Sequence, residues 1–346
     1  MKLAIVLFNL GGPDSLEAVE PFLRNLFRDP AILSLPGVVR WPLAWFLAKR
    51  RAPVAREIYA KLGGSSPIVA ETRAQADALD ELLAQRGVVA KSFVAMRCWH
   101  PFSDGAAVAV KAWGADHIAL LPLYPQFSTT TSASSLADWR RAAKKAGLDT
   151  PTTAVCCYPD HHGFVAASAA LIQKSLKEKK DGVEYRLLLS AHGLPKRTIA
   201  KGDPYQWQVE RTARAVVDAL GIVGLDWSVC YQSRVGPLEW IGPATDAEIR
   251  RAGADGKGVI VAPIAFVSEH SETLVELDIE YAHLAAAAGV PDYRRVPAVG
   301  THPDFIAALA SLAQSANASQ STVNGSGARL CPAAFSSCPF RESQAC

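Results

Sequence analysis

Residues 259–281 read VIVAPIAFVSEHSETLVELDIEY, a short apolar run followed by an acidic, amphipathic stretch. The apolar run predicts a buried strand, and an α-helix is expected to begin between residues 268 and 272. Glu272, Glu276 and Glu280 recur at four-residue steps and would share one helix face. The opposite face would meet the core through Leu274, Leu277 and Tyr281. Such an acidic stripe is typical of a solvated helix face, so by itself it indicates no site.

The position of this segment nevertheless favours a functional site. His270 and Glu272 would lie at the carboxyl end of a buried strand, where open α/β sheets bind ligands. His192 has an equivalent place in LLLSAHGLPKR, where another apolar run breaks at Gly193 and Pro195. A single loop histidine is usually structural, but neighbouring strand ends converge on one cleft. His192 and Glu272 together therefore predict a base-and-carboxylate site.

The same alternation of apolar and amphipathic segments runs through the chain. Strand-like runs begin near residues 3, 90, 117, 152, 185, 226, 259 and 293, with helical patterns between them. This pattern predicts an α/β fold of two Rossmann-like three-layer domains with parallel sheets and a cleft between them. The expected domains are residues 1–148, which include an apolar segment at 30–52, and residues 149–313. Residues 314–346 would form a flexible linker and a cysteine tail.

Composition narrows the class of protein. At 346 residues, 49% apolar and 20% charged, the chain can bury large cores, which excludes a disordered protein. A net charge of +3 gives no support for a nucleic-acid partner. No apolar run approaches the roughly 20 residues of a membrane span. The first strand ends in NLGGPDSLE, which matches neither phosphate-binding glycine motif, so no nucleotide cofactor is expected. We expect a cytoplasmic enzyme.

Further polar and aromatic residues follow other strand ends. Tyr124 stands in LLPLYPQFSTTTSASS, Arg97 in MRCWHP, and Trp240 in YQSRVGPLEWIGP. Aromatic rings can stack on a flat conjugated ligand, and cations can pair with its carboxylates. These residues therefore predict a cavity for a flat, anionic molecule.

The segment at residues 30–52 interrupts the alternating pattern. Trp41, Trp45 and Phe46 make a dense apolar patch, and the cations Arg50 and Arg51 follow it. The patch is typical of an ordinary amphipathic core helix. It equally fits a hydrophobic lip with a cationic edge, suited to an apolar ligand or a membrane surface.

Six segments in order resemble the ferrochelatase family, which inserts ferrous iron into a porphyrin in the last step of haem synthesis. The resemblance extends from the first strand to about Leu312. Its segments are NLGGPDSLEAVEPFLRNLF, YAKLGGSSPI, LYPQFSTTTSASSL, SAHGLP, YQSRVGPLEWIGP and PIAFVSEHSETLVELDIEY.

The resemblance implies a lyase that inserts Fe²⁺ into protoporphyrin IX without ATP. It implies that His192 faces the pyrrole nitrogens and accepts their protons, with Glu272 opposite. Glu276 and Glu280 would continue from Glu272 as a conduit for metal or protons. The residues expected to contact or support the substrate are Leu10, Arg50, Arg51, Arg97, Tyr124, Trp240 and His270, the last by orienting Glu272.

Several alternatives remain at this point. Coproporphyrin or cobalt could replace protoporphyrin or iron, although the apolar lip favours the less carboxylated protoporphyrin. A non-catalytic protein that binds tetrapyrrole or metal could share the topology. The lip also predicts peripheral contact with the inner membrane, where an apolar substrate is made and used.

The chain has seven cysteines, of which Cys331, Cys338 and Cys346 close the sequence. In a cytosolic protein such a group favours metal ligation over disulfides. The tail resembles that of ferrochelatases with a C-terminal [2Fe–2S] cluster, which needs a fourth ligand from elsewhere. Cys156 and Cys157 lie in a predicted strand, so only one should face a cluster, and Cys157 is favoured. A zinc site with the same thiolates, or an unused Cys346, are the alternatives.

Overall fold

The computed structural model describes residues 1–234, 236–319 and 321–340. The chain folds into two compact units. The first unit contains Met1–Cys157, Leu309–Ala328 and the described residues after Cys338, and the second contains Tyr158–Ala308 and Arg329–Cys338. Each unit is built on its own sheet. The expected domain boundaries at residues 148 and 313 remain a prediction.

The first unit has a four-stranded parallel sheet in the order β2-β1-β3-β4. Its strands are β1 (Leu3–Asn9), β2 (Ala90–Met96), β3 (His117–Pro122) and β4 (Thr152–Ala154). All seven residues of β1 are buried, as expected for the central strand of a parallel sheet covered on both faces. The helices of this unit are α1 (Val19–Arg28), α2 (Gly37–Ala60), α3 (Ile68–Gln85), α4 (Ser103–Trp113) and α5 (Ser132–Ala146).

Helix α2 shows whether the apolar patch of residues 30–52 is a core face or an exposed lip. Its buried face consists of Ala44, Ala48, Ala52 and Tyr59, and the small alanines recur at four-residue steps. Ala48 and Ala52 pack with residues of α1. The aromatic side chains point away from this face: Trp41 is 59% exposed, Trp45 49% and Phe46 54%. The patch is therefore a surface, and its interpretation as a core face was wrong.

The second unit repeats the architecture, with parallel strands in the order β6-β5-β7-β8. These strands are β5 (Tyr185–His192), β6 (Trp227–Gln232), β7 (Gly258–Pro263) and β8 (Tyr293–Arg295). Leu187 and Leu189 pack with residues of one helix layer, whereas Leu188 packs with a second cluster that includes Ile249. Because alternate strand residues face opposite sides, the sheet lies between two helix layers. The predicted α/β class with parallel sheets is confirmed.

The helices of the second unit are α6 (His162–Lys177), α7 (Lys196–Ala200), α8 (Tyr205–Leu220), α9 (Thr245–Ala254) and α10 (Tyr281–Ala287). A final helix, α11 (Pro303–Asn317), is divided between the units after Ala308. No helix in the described part of the chain has the length and hydropathy needed to span a bilayer.

The acidic segment of the second unit is not the α-helix that its spacing predicted. Residues Glu272–Glu280 form a π-helix, which continues directly into α10. A π-helix is bonded from i to i+5, so residues five apart rather than four apart come together. Tyr281 accordingly donates a hydrogen bond to Glu276, at 3.0 Å between Oη and Oε1. Tyr281 packs against the core cluster that contains Leu277, as expected, but its hydroxyl reaches Glu276, so it does not lie opposite the glutamates.

The segment expected as a flexible linker is partly regular where it is described. Helix α11 extends to Asn317. Beyond it, the Val323 amide donates to the Ala154 carbonyl at 2.9 Å, and the Cys156 amide donates to the Val323 carbonyl at 2.8 Å. These bonds attach the segment to the end of β4.

Candidate active site

His192 and Glu272 meet in the second unit. β5 ends at His192, and the π-helix begins at Glu272. The Nδ1 atom of His192 lies 2.8 Å from Oε2 of Glu272. Tyr205 supports the histidine backbone, because its hydroxyl donates to the His192 carbonyl at 3.1 Å. The structure thus brings together the two residues on which the sequence prediction depended. Because this contact leaves no room for a macrocycle between the two side chains, the expectation that Glu272 lies opposite His192 was wrong.

Gly193 keeps the end of β5 close to its neighbours. A Cβ atom at this position would lie 2.9 Å from the Gln232 carbonyl oxygen and 3.4 Å from Cε3 of Trp240. The backbone amide of Gly193 also donates to that carbonyl at 2.8 Å. Only glycine fits such an approach without displacing backbone, so the SAHGLP turn holds His192 near β6 and Trp240.

The charges of the pair stabilise each other. Burial would lower the pKa of His192, but the Glu272 carboxylate outweighs it and leaves the pKa raised. Burial opposes the charge of Glu272 too, yet His192 brings the pKa of Glu272 down to about 2. The side chains are 36% and 27% exposed, so water screens the attraction. Ion pairs this open contribute about 0–1 kcal/mol to stability, so the pair matters for its chemistry.

Glu276 lies next to this pair and accepts several hydrogen bonds. Its carboxylate receives the Ser233 amide at 2.8 Å, Gln232 Nε2 at 3.0 Å and the Tyr281 hydroxyl at 3.0 Å. Burial, and then the charge of Glu272, raise the pKa of Glu276. Glu280, the third glutamate of the row, is exposed. Burial therefore decreases along the three glutamates, because Glu272 and Glu276 are partly buried and Glu280 is exposed to solvent.

His270 is held by the turn before the π-helix. Its Nδ1 atom lies 3.0 Å from the Ser268 carbonyl oxygen, its amide donates to Thr273 Oγ1 at 3.0 Å, and its ring packs against Phe266. The described hydrogen bonds of the Glu272 carboxylate come from His192 and Ser233. A direct orienting role of His270 on Glu272 stays a prediction.

Arg97, Tyr124 and Leu10, three of the expected substrate residues, lie in the first unit. Arg97 forms an ion pair with the buried Asp29 at 2.9 Å and donates to Ser134 Oγ at 2.7 Å. Burial raises the pKa of Tyr124, whose phenol is therefore neutral. Leu10 is half-buried beside a cluster that includes Phe22.

The remaining expected substrate residues are more exposed. Arg50 and Arg51 are exposed on α2. Trp240, in the second unit, is half-buried and its indole nitrogen is covered by protein.

The cysteines depart from the strand-based expectation. β4 ends at Ala154, so Cys156 and Cys157 lie beyond it, and their sulfur atoms are 3.4 Å apart instead of facing opposite sides. Cys157, Cys331 and Cys338 are buried. Gln208 Nε2 lies 3.1 Å from Cys331 Sγ. Cys346 lies outside the described residues, and among those that are described no group of three or more His, Cys, Asp or Glu is arranged to hold a metal ion.

Comparison with known proteins shows to which family the chain belongs. The family model described as ferrochelatase matches residues 2–317. The chain belongs to the ferrochelatase family. A ferrochelatase of Caulobacter vibrioides is 53% identical over 344 residues, which cover 99% of this chain and 98% of that protein. The ferrochelatase of Pelagibacter ubique is 49% identical over 342 residues, 98% of both chains.

Solved structures agree with the fold. SirB from Bacillus subtilis with Fe³⁺ aligns with a TM-score of 0.51 at 16% identity, over 91% of this chain and 96% of that one. The sirohydrochlorin chelatase SirB from Bacillus subtilis subspecies spizizenii, in complex with cobalt, aligns with a TM-score of 0.51 at 14% identity, over 92% and 95%. At this identity the likeness concerns the fold alone.

Family membership settles the class of activity. The protein is a ferrochelatase-family enzyme that inserts metal into protoporphyrin in haem synthesis. The alternative of a non-catalytic tetrapyrrole- or metal-binding protein is therefore wrong.

Ser233 is the site residue that sequence reasoning missed. Its hydroxyl contacts Glu276 and lies 3.3 Å from Oε2 of Glu272. Its backbone has a φ of 60°, unusual for a residue other than glycine. No sequence pattern signals a serine in the left-handed region.

Proposed function

We propose that His192 is the base that accepts the pyrrole protons when Fe²⁺ enters protoporphyrin IX. The observation that carries the proposal is the 2.8 Å contact between His192 Nδ1 and Glu272 Oε2. Metal insertion requires the loss of two N–H protons from the macrocycle. If Nδ1 donates its hydrogen to the carboxylate, the lone pair of Nε2 is available as the acceptor. His192 would take the two protons in turn, releasing the first to solvent along the glutamate row before it accepts the second. Substitution of His192, with porphyrin binding measured separately, tests this assignment.

Glu272 has two tasks in this proposal. Its negative charge stabilises the imidazolium that forms when His192 takes a proton. Together with Glu276 and Glu280 it also offers carboxylate oxygens to ferrous iron on its way to the porphyrin. Oxygen ligands hold this metal less tightly than a set of imidazoles and thiolates, which suits a site that must release its cargo.

Several side chains are proposed to contact the porphyrin. The half-buried Trp240 ring would contribute an aromatic contact with the macrocycle. Leu10 and Tyr124 would contribute apolar and aromatic contacts. Arg97, Arg50 and Arg51 carry charges that suit the porphyrin carboxylates. We propose that contacts of this kind bend the macrocycle out of plane and expose its nitrogen lone pairs. Rates of iron insertion into protoporphyrin and coproporphyrin distinguish the two candidate substrates.

We also propose a peripheral contact of the enzyme with the inner membrane, and the exposed aromatic surface of α2 supports it. Trp41, Trp45 and Phe46 are all about half exposed or more. Lys49 Nζ lies 5.3 Å from the centre of the Trp45 ring, and the Arg28 guanidinium lies 5.4 Å from that of Trp41. Aromatic rings beside cations are typical of surfaces that enter the headgroup region of anionic lipids.

We expect Trp45→Glu to abolish sedimentation with vesicles that contain anionic phospholipid. Loss of one buried apolar side chain costs about 1.5–3 kcal/mol, which lowers binding roughly tenfold or more. Val108→Glu is the matched control, because Val108 is 61% exposed on α4 of the same unit. Failure of the wild-type protein to sediment at low salt, or equal losses in the two variants, would contradict the membrane contact.

A [2Fe–2S] cluster held by Cys157, Cys331, Cys338 and Cys346 is also proposed. Four thiolates are the usual ligands of this cluster. The burial of the first three, and the Gln208 amide beside Cys331 Sγ, suit thiolates shielded from solvent. Since the described residues do not form a metal-binding group, the proposal rests on this donor chemistry and on the sequence. No step of metal insertion is assigned to the cluster.

Anaerobic purification tests the cluster and its internal ligand. We expect visible absorption bands with stoichiometric iron and sulfide in the wild-type protein. Cys157→Ser should lose these bands, whereas its neighbour Cys156→Ser should keep them. A colourless protein with stoichiometric zinc would overturn the cluster assignment. Loss of the absorption bands in Cys156→Ser but not in Cys157→Ser would identify Cys156 as the internal ligand instead of Cys157.

A further inference from the structure

Ser233 has the most unusual backbone of the described site. Among the residues that the structure describes, it is the non-glycine residue with a positive φ, at 60°. It directly follows β6, whose last residue, Gln232, is paired with His192 in the sheet register. A side chain in this conformation is disfavoured and persists where the surroundings impose it. Such an outlier next to a proposed catalytic pair calls for a functional reason.

The left-handed conformation aims two donors of one residue at one carboxylate. The Ser233 amide donates to Glu276 Oε1 at 2.8 Å, and the Ser233 hydroxyl donates to Glu276 Oε2. The same hydroxyl oxygen lies 3.3 Å from Oε2 of Glu272, the oxygen that meets His192. Ser233 therefore lies between the two glutamates and engages both oxygens of Glu276.

Gln232 completes the arrangement from the sheet. Its Nε2 atom donates to Glu276 Oε2 at 3.0 Å and to the Glu272 carbonyl at 2.9 Å. The orientation of the amide is fixed chemically, because a carbonyl oxygen only accepts, so the nitrogen must face the π-helix. On its other side, Oε1 receives the Ser190 hydroxyl at 2.8 Å, and Ser190 also contacts Thr245 at 3.1 Å. Gln232, Ser190 and Thr245 are all buried.

We propose that Gln232 and Ser233 are positioning residues that hold the Glu276 carboxylate beside Glu272 for metal delivery. This inference rests on the proposed function of the His192–Glu272 pair and extends it to the next carboxylate of the row. Two adjacent carboxylates repel each other, and Glu276 could otherwise rotate towards solvent. Donors from a sheet end and a fixed turn counter that repulsion and keep both sets of oxygens available to one divalent cation.

The test removes the hydroxyl in two different ways. Ser233→Ala keeps the amide donor and the strained backbone, whereas Ser233→Gly keeps the amide donor and relieves the strain. We expect both variants to lower kcat for Fe²⁺ insertion roughly tenfold, the usual scale for residues that orient a metal ligand. The KM for porphyrin should stay unchanged and the KM for Fe²⁺ should rise. Thermal stability should be preserved in Ser233→Gly.

Ser228→Ala is the matched control for these variants. Ser228 lies on β6, the strand that Ser233 follows, and it also donates to a glutamate, Glu248, at 2.8 Å. We expect its kcat and both KM values to equal those of the wild type. A loss of kcat in this control as large as in Ser233→Ala would mean that strand stability, not positioning, explains the effect.

A double substitution shows whether Ser233 acts through Glu276. Glu276→Gln alone should lower kcat to a similar extent, and adding Ser233→Ala should lower it no further. Multiplied losses in the double variant, or wild-type kcat in Ser233→Gly, would overturn the proposal. Failure of the proposed function is distinguishable from this result, since it would appear as wild-type kcat in variants of His192 and Glu272.

Discussion

His192→Ala is expected to lower kcat for Fe²⁺ insertion by about 10²- to 10⁴-fold, the scale of a lost general base. The His192 imidazole lies at the end of β5, and its Nδ1 atom contacts Glu272. Its Nε2 atom therefore points away from that carboxylate. Alanine removes the acceptor without adding bulk at a partly exposed position. Porphyrin fluorescence should show that the substrate still binds, because the proposed porphyrin contacts are other side chains.

His283→Ala provides the control for this substitution. His283 is an exposed histidine on α10 of the same unit, and its removal should leave kcat unchanged. If His192→Ala binds porphyrin and metallates it at the wild-type rate, His192 is not the base.

Glu272→Gln is expected to lower kcat about 10²-fold, and more than Glu280→Gln does. Glutamine keeps the size of the side chain and an oxygen for His192 Nδ1–H, but it removes the negative charge. The pKa of Glu272 is held at about 2, so this charge is present at any pH at which the enzyme works. Glu280 is exposed, and water screens its influence on the reaction. Equal losses in the two variants would argue for a general electrostatic effect of the row.

The pH profile separates the charge of Glu272 from a loss of structure. Glu272 raises the pKa of His192 above its ordinary value, and only the neutral imidazole accepts a proton. Activity of the wild type should therefore fall as the pH drops through that raised pKa. Without the carboxylate, burial lowers the pKa of His192, so the acidic limb of kcat/KM in Glu272→Gln should move to lower pH. An unmoved acidic limb would show that the two residues are not coupled.

The sheets and the contact between His192 and Glu272 could be predicted from the sequence, because buried strands appear in it as apolar runs. β1 begins at Leu3, β2 at Ala90 and β5 at Tyr185, where their apolar runs predicted. The position of His192 and Glu272 followed from the rule that parallel strands end at a common edge. These inferences needed only periodicity and topology.

The sequence predictions fail where the local backbone conformation differs from the one that the residue spacing indicates. Glutamates at four-residue steps fit an α-helix, but the segment takes π-helical hydrogen bonds, which bring Tyr281 to Glu276. A serine in the left-handed region has no sequence signature, so Ser233 was not expected. β4 ends at Ala154, and the chain beyond it pairs with Val323, so strand alternation failed for Cys156 and Cys157.

Helix α2 shows a different limit of sequence reasoning. Pro42 and Pro53 lie inside it, and proline ordinarily interrupts a helix. Its buried face is made of alanines, whereas its large aromatic side chains are on the surface. Hydrophobicity alone therefore could not show which residues of the segment face the core.

Single-turnover insertion of Fe²⁺ into bound protoporphyrin tests the central claim, that His192 and Glu272 act as one unit. The rate should be measured for the wild type, His192→Ala, Glu272→Gln and the double variant. Since each residue acts through the other, the double variant is predicted to be about as slow as His192→Ala alone. Losses that multiply in the double variant, with porphyrin still bound, would contradict the account.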